Sequence, residues 1–313
     1  MNVVVTGATS FLGRALVDRL LREHHQVFAL VRPGSENIGS LEGQRSGLTL
    51  IERQLEELEE LDKVIQEPCQ AFYHLGWDGS GSAARMKREV QQKNVKDALR
   101  ALEGARRLGC SRFLFSGSQA EYGVHEEAMT EEAECRPVSE YGRAKLEFYE
   151  RAWERTESWR QTGVWDMEYI HSRIFSVYGP GDHPWSLVES CLRAFGSGEY
   201  ISLGECTQMW NFLYIDDCIR ALILLMEQEK GSVSGIYNVA GPESENRPLR
   251  EYVRMMYEAL GRHGSYSYGR RKPNAEGSAN LMPDIKKLAE KTGWQPLVAF
   301  SDGIRQTYQT EKY

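Results

Sequence analysis

The chain has 313 residues, with 38 lysines and arginines against 45 aspartates and glutamates, for a net charge of −7. With a pI near 5.7, that balance argues against general binding to nucleic acid or to an anionic membrane surface. The length suffices for a large core in one two-lobed unit, and no apolar run approaches the ~20 residues of a membrane span. The N-terminus enters a strand directly, without a signal-peptide pattern. Six cysteines, at 69, 110, 135, 191, 206 and 218, form no Cys-x-x-Cys pair. Reduced, mostly core thiols, no metal and a cytoplasmic location are therefore expected.

The first element is Asn2-Val3-Val4-Val5-Thr6, a β-branched run that reads as a buried parallel strand. It breaks at Gly7-Ala8-Thr9-Ser10-Phe11-Leu12-Gly13, continues as an amphipathic helix from Leu12 to Glu23, and returns as a strand over Gln26–Val31. Strand, glycine turn, helix, strand is the unit in which a helix N-terminus meets a dinucleotide pyrophosphate. That reading places Gly7, Thr9, Ser10, Phe11, Leu12 and Gly13 at the cofactor. Gly7 allows the tight turn and Gly13 the close helix–strand contact. Ser10 stands where a glycine is more usual, so its side chain must fit beside the phosphates. An ordinary α/β turn is the alternative.

Arg32 closes the second strand, where NAD binders usually carry an acid for the ribose 2′-hydroxyl. An arginine suits the 2′-phosphate of NADP, so NADP(H) is favoured, with NAD(H) the alternative and a solvated loop arginine the plain one. The acidic stretch Glu52 to Glu67 reads as a solvated helix. Further strands follow at Ala71–Leu75 and Arg112–Ser116. Alternation to about residue 160 predicts an α/β, doubly wound parallel (Rossmann) sheet with right-handed crossovers.

Tyr141 and Lys145 lie one helical turn apart, with Ser118 upstream in Ser116-Gly117-Ser118-Gln119. A phenol titrates near ~10 in isolation and is a poor base at neutral pH; a fixed ammonium on the same helix face favours the phenolate. A serine hydroxyl then holds the oxygen that gains or loses the proton. The pair alone also occurs on solvated helix faces. Beyond it the chain is less regular: a loop over Gly179–Trp185, a helix over Ser186–Phe195, and an Arg270-Arg271-Lys272 cluster suited to a diphosphate. His183 and Trp185 are candidate pocket residues.

The ordered motifs resemble an extended short-chain dehydrogenase/reductase of the group acting on nucleotide sugars. Thr6-Gly7 to Gly13 matches the cofactor turn, His74-Leu75-Gly76 the segment usually read His-Leu-Ala, and Asn94 the structural asparagine of the next helix. Arg173 to Gly181 resembles Arg-x-x-Asn-x-Tyr-Gly-Pro-Gly, Trp210 to Asp217 resembles Arg-Asp-Phe-Ile-Tyr-Val-Asp-Asp, and Gly235 to Val239 resembles Gly-x-Tyr-Asn-x-Gly. The resemblance implies Ser118, Tyr141 and Lys145 as the catalytic trio. It places Leu75, Gly76, Asn94, Tyr141 and Lys145 on the cofactor side, and Gln119 and Ser176 with His183, Trp185, Arg270 and Arg271 on the substrate side. It also implies a dinucleotide-binding domain of residues 1–170, with 205–240 returning to it, and a smaller mixed substrate lobe of 171–204 and 241–313. A homodimer through the helices around Gln91–Leu108 and Ser139–Glu157 is implied too. Arg53-Gln54 stands where relatives often carry an Asp near the adenine.

As to reaction, relatives that dehydrate carry an Asp-Glu pair directly after the catalytic hydroxyl residue, and here those positions are Gln119 and Ala120. Glu121 is shifted by one and faces elsewhere. What remains is NADPH-dependent reduction of a CDP- or dTDP-linked 4-keto-6-deoxyhexose, which the stretch Gly117–Gly123 resembles most. The alternatives are a 4-epimerase with retained NAD, a reductase of a ketone without a nucleotide, and a non-catalytic NADP-binding regulator.

Overall fold

The computed structural model describes residues 1–41, 45–81, 83–271 and 279–311. The first apolar run is strand β1 (Asn2–Thr6), followed by helix α1 (Phe11–Arg22) and β2 (Gln26–Val31). Strands β3 (Leu48–Glu52), β4 (Ala71–His74), β5 (Arg112–Ser118) and β6 (Glu168–Ile174) follow. Helix α2 (Arg88–Arg107) connects β4 to β5 and α3 (Glu140–Thr162) connects β5 to β6. Two short strands near the sheet, β7 (Ser176–Tyr178) and β10 (Phe212–Tyr214), pair in parallel. Helix α5 (Ile215–Met226) then leads to β11 (Gly235–Val239), which returns to the main sheet beside β6.

The seven-stranded order is β11-β6-β5-β4-β1-β2-β3, all parallel. The doubly wound sheet is thus as the alternation predicts. Strands after β1 run outward to one side and then to the other, so a crevice opens at the carboxyl ends of β1 and β4. Side chains of β1 alternate between layers: Val3 and Val5 join Leu16, Val17 and Ile219, while Val4 joins Val95, Ala98 and Phe148. All three valines are fully buried, as a parallel strand with helices on both faces requires.

The acidic stretch departs from expectation. Only Leu55–Lys63 coils, as two short 3₁₀ turns that meet at a kink at Glu60, and Leu58 and Leu61 are buried against α2. Leucines at 55, 58 and 61 recur every three residues, which suits a three-residue turn and not a longer α-helix.

The remaining chain builds small pairs: β8 (Tyr200–Ser202) with β13 (Ser265–Ser267), and β9 (Met209–Trp210) with β12 (Arg247–Pro248). Helix α4 (Leu187–Gly196) is capped by Ser186, whose hydroxyl accepts from the Glu189 amide at 3.2 Å. Tyr178, Phe212, Tyr252 and Phe300 pack edge to face and tilted, joining this region to the sheet. All six cysteines are free, five of them buried. Among the described residues no helix is long and apolar enough to cross a membrane.

Candidate active site

The turn after β1 is shaped by backbone contact. Gly7 has φ +65°, and a Cβ there would sit 2.8 Å from the Gly76 amide nitrogen. A Cβ on Gly13 would collide with the Gly7 carbonyl, so the close approach expected of Gly13 is to the turn itself. Ser10 solves its crowding by turning inward: it caps α1, and its Oγ accepts from the Gly13 amide at 3.1 Å. Beneath the turn, Thr6 Oγ1 accepts from the amides of Leu75 (3.1 Å) and Gly76 (3.0 Å). It lies 2.8 Å from His74 Nδ1. Burial, with Lys145 adding to it, pushes His74 down to about 3; the neutral ring accepts the Thr6 proton. The result is a rigid helix N-terminus facing an open crevice, an anion site by its dipole and its free amides. Gly13→Ala should therefore abolish dinucleotide binding and lower stability by about 1–3 kcal/mol, the usual cost of overpacking, measured by titration with NADPH and by denaturant melts.

The proton-handling groups come from β5 and α3. Ser118 ends β5, and its Oγ accepts from the Ala120 amide at 3.2 Å, leaving its own hydrogen to donate. Ser139 caps α3, accepting from the Gly142 amide at 3.1 Å, and the Tyr141 amide donates to the Arg85 carbonyl at 2.9 Å. One turn on, Lys145 Nζ is buried. It donates to the Ser116 carbonyl at 2.6 Å and lies 4.0 Å from the Trp77 ring centre, 4.4 Å from Phe115 and 5.5 Å from Tyr141. Burial lowers the lysine to about 7; Glu121 works against that shift and Arg85 with it. Ser118, Tyr141 and Lys145 line one cavity of about 710 Å³.

That cavity begins at Gly7, Thr9, Ser10, Phe11 and Leu12 and passes Leu75 and Gly76. Arg32, Ser35, Arg53 and Gln54 border it where β2 and β3 end. Arg32 pairs with Asp78 at 3.3 Å, both exposed. The other end is lined by Gln119, Ser176, Asp182, His183 and Trp210. Burial raises the Asp182 carboxyl.

Other expected site residues stand elsewhere. Gly13 and Asn94 do not line the cavity. Asn94 braces the loop after β4, its Oδ1 accepting from the Asp78 amide (3.0 Å) and its Nδ2 donating to the Asp78 carbonyl (2.7 Å). Trp185 is 69% exposed and stacks on His183 at 4.6 Å. Arg270 and Arg271 are exposed away from the cavity, because both their amides are tied to the Leu203 carbonyl beyond β8. Lys272 lies outside the described residues. Cavity residues that escaped sequence reasoning include Trp77 over Lys145, Asp78 beside Arg32, and Arg85, whose guanidinium sits 4.0 Å over the Tyr141 ring. Trp77 follows the His-Leu-Gly segment directly, which was a usable signal; Arg85 had none.

A Rossmann sheet with this turn and this Ser–Tyr–Lys set defines an extended short-chain dehydrogenase/reductase. A sequence model of the NAD dependent epimerase/dehydratase family matches residues 3–240, and the chain belongs to that family. UDP-glucuronic acid decarboxylase 1 of Arabidopsis thaliana is 26% identical over 318 residues, 97% of this chain and 68% of that protein. UDP-glucose 4-epimerase of Mycolicibacterium smegmatis is 24% identical over 327 residues, 99% of this chain and 98% of that one. Among solved structures, MoeE5 in complex with UDP-glucuronic acid and NAD superimposes with a TM-score of 0.86 at 23% identity, covering 100% of this chain and 99% of the other. UDP-glucose 4-epimerase from Thermotoga maritima gives 0.85 at 22% identity, with the same coverage. At such identities the structural likeness carries the fold alone.

Proposed function

We propose that the chain reduces the 4-keto group of a nucleotide-linked 4-keto-6-deoxyhexose with NADPH. The observation that carries this reading is Tyr141 in the cavity wall with Ser118 and Lys145, while Arg32, and not an acid, directly follows β2. The residues fit a dinucleotide: the crowding at Gly7 leaves only backbone in the turn that faces the cavity, and Arg32, Ser35 and Arg53 suit a 2′-phosphate. The Arg32–Asp78 pair does not stand against this. An exposed ion pair holds about 0–1 kcal/mol, and a phosphate dianion outcompetes it.

When bound, NADPH supplies the hydride. Ser118 donates a hydrogen bond to the substrate carbonyl oxygen, and Tyr141 gives that oxygen its proton as the carbon gains hydrogen. Lys145 keeps positive charge beside the phenol and holds the nicotinamide ribose hydroxyls. Gln119 and Ala120 offer no acid–base pair for eliminating water, and Glu121 is fully buried away from the cavity. Residues 1–170 and 205–240 serve the dinucleotide in this reading, and 171–204 with 241–313 the sugar nucleotide. Two copies pair through α2 and α3.

A second reading, a 4-epimerase with retained NAD, draws support from relatives named as epimerases and from a trio that serves both reactions. Cofactor content of the purified protein, with NADPH oxidation on CDP-, dTDP- and UDP-linked keto sugars, separates the two. Exchangeable NADP with net oxidation supports reduction; tightly held NAD without net oxidation supports epimerisation. Arg32→Ser should weaken NADPH about 10- to 100-fold and leave NADH within about 3-fold, since a hydrogen-bonded charge pair contributes ~1.5–3 kcal/mol. Equal loss for both dinucleotides would remove the NADP argument.

A further inference from the structure

Behind the catalytic strand lies a buried charged cluster that no step above uses. Glu121, fully buried, accepts from the Ser118 amide at 2.7 Å, from Arg173 Nε at 2.9 Å and from His171 Nε2 at 2.9 and 3.0 Å. Tyr169 completes the chain, its hydroxyl 2.7 Å from His171 Nδ1. Burial alone would raise Glu121; the neighbouring His171, Arg173 and the Ser118 amide outweigh it and hold the carboxyl down to about 2. Burial lowers His171, so a neutral ring donates from Nε2 and accepts from Tyr169. Gly117 has no side chain because a Cβ there would meet His171 and stand 2.8 Å from Glu121 Oε1.

The end of β5 is therefore gripped twice. Glu121 holds the Ser118 amide, and Lys145 holds the Ser116 carbonyl. We propose that Glu121 is a positioning residue of this site: its carboxylate fixes the backbone that presents the Ser118 hydroxyl, and it is the buried countercharge that keeps the Lys145 ammonium in a largely apolar pocket. Lys145 stands on the rings of Trp77 and Phe115 and, among the described residues, pairs with no carboxylate within salt-bridge distance. The other titratable groups around it are Arg85 from the loop after β4, Tyr141 from α3, His74 from β4 and His171 from β6, none of them an acid near neutral pH. The inference rests on the reading of Lys145 as a donor to the dinucleotide ribose.

The test is NADPH affinity, by fluorescence titration of the full chain between about pH 6 and 9, for wild type, Glu121→Gln and Glu121→Gln/Arg173→Gln. The double variant removes the buried pair together and leaves no orphan guanidinium to unfold the protein. Wild-type affinity should fall as Lys145 loses its proton; Glu121→Gln should show that fall about one pH unit lower, and the double variant a smaller downward shift, since it loses a positive charge together with the negative one. A flat wild-type profile overturns the reading of Lys145 and the inference with it. A wild-type fall that folded variants reproduce at unchanged pH overturns the inference alone.

Discussion

Tyr141→Phe should lower turnover by about 10³-fold or more while NADPH affinity stays within about 3-fold, because the proposed reaction loses its proton donor, a role worth ~10²–10⁴ in rate. The packing supports a clean substitution. Tyr141 is held from its backbone by the Arg85 carbonyl and from its ring by Arg85 at 4.0 Å and Trp77 at 6.3 Å, contacts that phenylalanine keeps. Single-turnover rates and dinucleotide titration measure the two quantities separately. Activity and affinity falling together would make the tyrosine structural.

Lys145→Met should lower turnover by about 10²-fold and remove the cost of keeping a proton on a buried amine, set against the lost hydrogen bond to the Ser116 carbonyl, so its stability relative to wild type should depend on pH. Burial depresses this lysine to about 7 in the folded protein, against ~10.4 in an unfolded chain. Below pH 7 both states carry the proton and the folded state bears the full penalty. Between 7 and the unfolded value the folded state sheds its proton first, so wild-type stability rises with pH. The advantage of the methionine variant should thus be largest below neutrality and shrink as pH rises toward 10. Denaturant midpoints at several pH values check the sign; an advantage that grows with pH would contradict it.

How much was legible depended on distance along the chain. The Val3–Val5 run, the turn to Gly13 and the Tyr141–Lys145 spacing are local patterns, and local geometry decides them. The Leu55–Lys63 segment misled because its charges suggested a solvated helix while its three-residue leucine period sets the actual coil. Ser10 was expected beside phosphates, yet its hydroxyl caps α1, a choice between two nearby partners that composition does not express. The Glu121 cluster draws on His171 and Arg173, some fifty residues away on the neighbouring strand; only the β5–β6 register brings them together. Arg270 and Arg271 do not line the cavity; a run of cations does not reveal which side of a small strand pair it faces.

We propose that hydride is delivered to a sugar carbon beside Tyr141. The direct measurement is transfer from NADPH carrying deuterium on the nicotinamide ring to a nucleotide-linked 4-keto-6-deoxyhexose, read by mass and NMR of the product sugar. The expected result is one deuterium at C4, with stoichiometric loss of the reduced nicotinamide absorbance and none in the Tyr141→Phe variant. Unchanged NADPH, and a product without deuterium at C4, would contradict it.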